Sequence, residues 1–201
     1  MGQPPIRRVL ALAGLFALAL ALAPAAAFAH PAHPGHEALG LDAGFLHPFT
    51  GADHIAAMVA VGLWAALRGG RALWAWPAAF VSAMVVGFAF GQAEALAVSI
   101  EPVILASVIV LGALTAAQAQ VPLAWGVLLI GAFGAAHGYA HGTEAPGAGA
   151  AYPLGFVLAT AVLHLAGLGT GLALGRFGKP ELIRLLGVGA AAGGLILAVA
   201  T

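Results

Sequence analysis

Cysteine is absent from the 201-residue chain, which removes thiolate metal sites, cysteine nucleophiles and disulfides together. Charge is scarce: Asp, Glu, Lys and Arg make up 7% of residues, against roughly 25% in a soluble domain. None of those four types occurs in 72–93, 102–143, 145–175 or 185–201, and charge-free blocks of that length read as membrane spans. Seven basic residues balance seven acidic ones, so no electrostatic footprint points to nucleic acid. No Gly-x-x-x-x-Gly-Lys-Ser/Thr phosphate loop is present, so the sequence gives no sign of nucleotide use. What is there is a 62% hydrophobic chain with eight histidines.

The first 29 residues read as a signal peptide. Arg7 and Arg8 precede an apolar run, and Ala27-Phe28-Ala29 supplies a small-residue cleavage pattern. Cleavage there makes His30 the new N-terminus; an uncleaved span is the alternative. Residues 30–46 then form an outer, histidine-containing segment, and 47–201 the transmembrane domain.

That domain is expected to be all-α, a polytopic helix bundle, because unalternating apolar blocks in lipid must satisfy their backbone groups internally. Six spans are expected, near 50–67, 73–90, 102–119, 122–138, 152–174 and 182–200. With the N-terminus outside, Arg68, Arg71, Arg176, Lys179 and Arg184 all fall on the inner side, in agreement with the positive-inside tendency. The outer side holds imidazoles and acids, which favours cations. Two sets of three spans with opposite orientation permit a 3+3 inverted repeat. Small-xxx-small pairs at Gly87 and Gly91, Gly171 and Gly175, and Gly189 and Gly193 allow close helix approach.

Chemistry concentrates in two histidine clusters. The first runs His47-Pro48-Phe49-Thr50-Gly51-Ala52-Asp53-His54, a Pro- and Gly-interrupted stretch feeding into a span, where transporters place ion sites. Imidazole plus carboxylate suits a borderline divalent cation such as nickel, cobalt or zinc. Asp53 and His54 are adjacent and cannot share one helix face, while the irregular stretch lets His47 fold back toward either. Thr50 with Asp53 also resembles a capping box, with the acid serving the helix dipole. The second cluster runs from Phe133 to Glu144 and contains His137 and His141. Four residues apart, these two project from one face if the helix continues; Gly138 and Gly142 are equally compatible with a fraying end.

These strings resemble the HupE/UreJ family of hydrogenase and urease accessory proteins. The similarity covers His47-Pro48 through Asp53-His54 and on to Ala66, and the His-Gly-Tyr-Ala-His-Gly-x-Glu core ending at Glu144. Glu101-Pro102 to Val108 and Leu163 to Gly167 are similar too. The resemblance implies metal handling, nickel in the family generally and cobalt in some members. It maps His47, Asp53, His54, His137 and Glu144 onto motif positions implicated in metal passage. His141 stands at a motif position that is not always histidine.

Three further features bear on an ion path. Glu101, before Pro102, either begins the third span near the outer surface or lies deeper as an intramembrane acid if the helix starts at Glu94. His164 falls near the bilayer centre, where an imidazole serves as proton relay, inner ion stop or partner of a neighbouring backbone. His30, His33 and His36 form either a loose metal collector or a linker, and a free amine at His30 adds a chelating group. The sequence thus predicts a multi-pass protein of the bacterial inner membrane that takes up Ni2+, with Co2+ as the alternative ion and no catalytic cofactor. Its expected partners are the ion, the bilayer and metalloenzyme maturation machinery. An intramembrane metallohydrolase, with Glu144 or Asp53 activating water, and an outer-face sensor are the rival classes.

Overall fold

A computed structural model describes residues 40–94 and 99–200. The signal-peptide expectation and His30, His33 and His36 lie outside the described residues. Among those described, every regular element is helical: α1 (Leu41–Leu46), a 3-10 turn (His47–Phe49), α2 (Ala52–Arg68), α3 (Ala72–Gln92), α4 (Glu101–Ala116), α5 (Leu123–Glu144), α6 (Ala151–Arg176) and α7 (Pro180–Ala200). The punctuation is local. Pro102 and Pro180 sit at helix starts, where a missing N–H costs nothing, and Gly69, with φ of 67°, closes α2.

Four helices, α3, α5, α6 and α7, are long and apolar enough to cross a membrane. A fifth candidate is the pair made by Leu41–Phe49 and α2, bent by 82°. The third expected span, 102–119, is a 16-residue helix, only about 24 Å long at 1.5 Å per residue. It ends early because Gln118 takes a left-handed φ of 51°. In the other direction α5 outruns its expected limit at residue 138 and continues to Glu144.

Glycines set the helix pairing. Phe80, Met84 and Phe88 of α3 lie against Gly134, Gly138 and Gly142 of α5 in ascending order, so these helices run parallel. The same ascending order, Val59 by Gly167 and Leu63 by Gly171, makes α2 and α6 parallel. α4 and α7 are antiparallel, with Ala116 and Gly112 by Gly187 and Val108 by Gly194. Such backbone-to-backbone seams supply packing where lipid provides no hydrophobic drive. Of the small-residue pairs singled out above, Gly87 and Gly91 abut Ala135 and Tyr139 of α5, whereas Gly175 meets nothing within 4 Å.

The core holds Met58, Trp64, Trp76, Phe80, Val108 and Phe156. Trp74, Trp125, Leu128, Leu165 and Leu195 point outward, as lipid-facing side chains do. One end of the bundle gathers the basic residues and is tied together by side-chain bonds to the α4–α5 connection. Trp64 Nε1 donates to the Ala119 carbonyl at 2.9 Å, Arg68 Nε to Val121 at 3.1 Å and Trp76 Nε1 to Leu123 at 3.2 Å. Arg184 Nε reaches Ala116 at 3.1 Å, and Gln118 reaches Pro180 at 3.3 Å. The two histidine clusters meet at the opposite end.

Candidate metal site

Three elements deliver the site. The 3-10 turn carries His47, the first turn of α2 carries Asp53 and His54, and the last two turns of α5 carry His137, His141 and Glu144. Because α5 stays helical past Gly138 and Gly142, His137 and His141 do share one face. Those glycines are not terminators: they leave room for the Met84 and Phe88 backbone.

His141 is the hub. Its Nδ1 bonds Glu144 Oε2 at 3.0 Å, and its Nε2 lies 2.6 Å from His54 Nε2. Glu144 Oε2 is also 3.3 Å from His47 Nε2. His54 Nδ1 in turn meets Asp53 Oδ1 at 2.7 Å. A carboxylate only accepts, so both imidazoles donate from Nδ1, and the short contact between their Nε2 atoms is bridged by one shared proton, the place a metal ion would take. Carboxylates that orient imidazoles in this way are the usual support of histidine metal sites. Metal–nitrogen bonds of about 2.0–2.1 Å place two ligands roughly 3 Å apart, so a small ring rotation converts this pair to ligands. A second grouping, His47, His141 and Glu144, has ligand atoms within 4.8 Å of one another. Exposure is graded from Glu144 at 55% and His47 at 35% to His141 at 1%, so an ion meets water-accessible ligands first and buried ones later.

Several expectations change here. His47 does fold back, but onto Glu144 rather than toward Asp53 or His54. Asp53 reaches its own neighbour's ring despite their adjacency, since its carboxylate also accepts the His54 N–H at 2.8 Å and curls over that turn. The capping box is not formed: Gly51 is the N-cap of α2, with no side-chain cap, and Thr50 Oγ1 instead donates to the His47 carbonyl at 2.7 Å. A Cβ at Gly51 would stand 2.7 Å from both Asp53 Oδ1 and His54 Nδ1, so the missing side chain keeps room for this pair. Glu101 starts α4, exposed, beside Ser99, Pro102 and Ala198 in a hollow of about 300 Å³. The helix thus begins at Glu101 rather than at Glu94, and Glu101 is not brought to the histidines. His164 is buried in α6.

A family model described as HupE / UreJ protein matches residues 18–197. The chain belongs to the HupE/UreJ family. Among curated relatives, Protein HupE of Rhizobium leguminosarum bv. viciae is 43% identical over 150 residues, covering 74% of this chain and 78% of that protein. No solved structure matches the chain. The two histidine motifs that carry part of the family resemblance converge at one end of the bundle. The aromatic residues around them carried no signal in the sequence: Phe156 lies 4.2 Å from the His141 ring and Tyr152 6.1 Å from His47, centroid to centroid.

Proposed function

We propose that this HupE/UreJ member is a secondary permease that carries nickel inward across the bacterial inner membrane, for hydrogenase or urease maturation. The observation that carries this reading is the convergence of His47, His54, His137 and His141 with Asp53 and Glu144 from three separate elements at one end of an apolar bundle. Imidazole nitrogens backed by carboxylates suit nickel, and cobalt nearly as well. The outer face is then the histidine end and the inner face the basic end, following the positive-inside tendency.

Six crossings with the N-terminus outside fit the alternation of helix directions, with α2 and the short α4 as the first and third. Exchanging α2, α3 and α4 with α5, α6 and α7 turns the parallel pair α3–α5 into α6–α2 and returns the antiparallel pair α4–α7 to itself. This supports an inverted repeat. An inside-negative potential drives a dication inward by about 4.6 kcal/mol per 100 mV.

The test is uptake of radioactive nickel by the purified chain in sealed vesicles. Saturable accumulation is expected, faster with an inside-negative potential and reduced by cobalt. Magnesium at equal concentration should not compete, because it prefers oxygen ligands and sheds water reluctantly. Accumulation no greater than in protein-free vesicles would remove the permease reading, and magnesium competing as well as cobalt would remove the histidine-built site.

A further inference from the structure

Inward of His54 and His141 lie two imidazoles whose nitrogens the outer cluster leaves unused. His137 Nδ1 bonds the Phe133 carbonyl at 3.0 Å. A carbonyl only accepts, so the proton is on Nδ1 and Nε2 keeps its lone pair. That Nε2 is buried without a partner among the described residues, and the His137 ring lies 5.1 Å from that of His54. His164 is 2% exposed, and neither of its nitrogens has a hydrogen-bond partner among the described residues. The Thr160 carbonyl, one turn back, approaches it without completing a bond of ordinary geometry. An apolar side chain would fill either place without burying unsatisfied nitrogen.

Phe80 joins the two. Its ring centroid is 5.3 Å from that of His137 and 5.0 Å from that of His164. A ring so placed is both barrier and partner, since its π face attracts a partly dehydrated cation within about 6 Å. One turn further inward along α3, Trp76 packs against Trp64 with centroids 4.4 Å apart, and both are fully buried. This pair fills the core between α2 and α3 on the basic side of Phe80.

We propose that His164 is a second, inner station for the transported divalent cation, handed on from His137 Nε2 as the Phe80 ring turns aside. The proposal rests on the uptake reading and adds to it a two-step passage: capture at the outer carboxylate-backed cluster, then transfer to a single buried imidazole. One neutral ligand holds a dication weakly, and weak sequential sites serve conduction better than one closed site.

Because the chain has no cysteine, His164→Cys introduces its single thiol, and thiolate bound to cobalt gives a near-ultraviolet charge-transfer band. Cobalt added outside sealed vesicles holding the full-length variant should produce that band together with the visible spectrum of cobalt at the outer cluster. The visible spectrum without the thiolate band would overturn the inner station while leaving the outer site standing. Neither signal, in a protein whose wild type also binds no nickel, would overturn the uptake reading itself. His164→Gln, close in volume, tests the station independently: nickel uptake should fall by about tenfold or more while nickel binding at the outer cluster stays within about twofold. Uptake within about twofold of wild type would overturn the proposal.

Discussion

At the scale of single residues, the outer site depends on two carboxylates that each hold an imidazole by Nδ1. In Asp53→Asn the amide oxygen can still accept from His54, and the helix start keeps its shape. What is lost is the negative charge that offsets a dication. Nickel uptake is therefore expected to drop about 10- to 100-fold at unchanged membrane protein level. Thr50→Ala removes only an exposed hydroxyl bond to the His47 carbonyl, worth about 0.5 kcal/mol, and should leave uptake within about twofold. Near-normal uptake by Asp53→Asn would reduce Asp53 to a helix-dipole partner. Imidazole must be neutral to bind metal, so uptake should decline once external pH is low enough to protonate the ligands; a profile that stays flat down to the pH at which the protein unfolds would speak against imidazole ligands. The sequence made the His137–His141 pair legible, since four-residue spacing on a helix is a local rule. It could not reveal that His47 meets Glu144, because that contact exists only once the end of α5 packs over the turn before α2. Nor did adjacency forbid the Asp53–His54 bond, because a short carboxylate can curl over its own turn.

At the scale of elements, the α3–α5 seam fixes the site. Gly138 faces the Met84 backbone so closely that a Cβ there collides with it, and Met84 sits one turn along α3 from Phe80. Gly138→Ala must push the helices apart and should destabilise the protein by about 1–3 kcal/mol, seen as a lower melting temperature in detergent. It should also weaken nickel binding, because His137 and His141 move with α5. Gly175→Ala is the matched control: it lies in α6 with nothing within 4 Å, and should be neutral or stabilising by about 0.4–1 kcal/mol. Equal melting temperatures for the two variants would show that the seam tolerates widening. The existence of every helix from α2 to α7 was legible from apolar block length alone. Their limits were not. Gly138 and Gly142 look like helix terminators until α3 is seen to occupy the space they leave, and the early end of α4 depends on the conformation of Gln118, a residue with no intrinsic signal for it.

For the whole molecule, direction is the testable property. The α2–α3, α4–α5 and α6–α7 connections meet at one end, joined by the bonds of Arg68 to Val121 and of Gln118 to Pro180, and all five basic residues of the described chain lie at or beside them. The histidine cluster and the α5–α6 connection lie at the other end, so the bundle is polarised along its axis by chemistry as well as by chain direction. If the basic end faces the cytoplasm, the α5–α6 connection must face outward. The absence of native cysteine permits single-thiol labelling on an otherwise inert chain. Gln120→Cys, exposed in the α4–α5 connection, and Gly149→Cys, exposed between α5 and α6 with open space around it, change no residue of the site. In intact spheroplasts a membrane-impermeant maleimide should label Gly149→Cys and spare Gln120→Cys until the membrane is opened. The reverse pattern would invert the orientation and turn the histidine cluster toward the cytoplasm, where it would serve release or export rather than capture. Labelling of both positions from outside would contradict the alternation itself, because α5 alone separates them, and would place that helix along the membrane surface instead of across it.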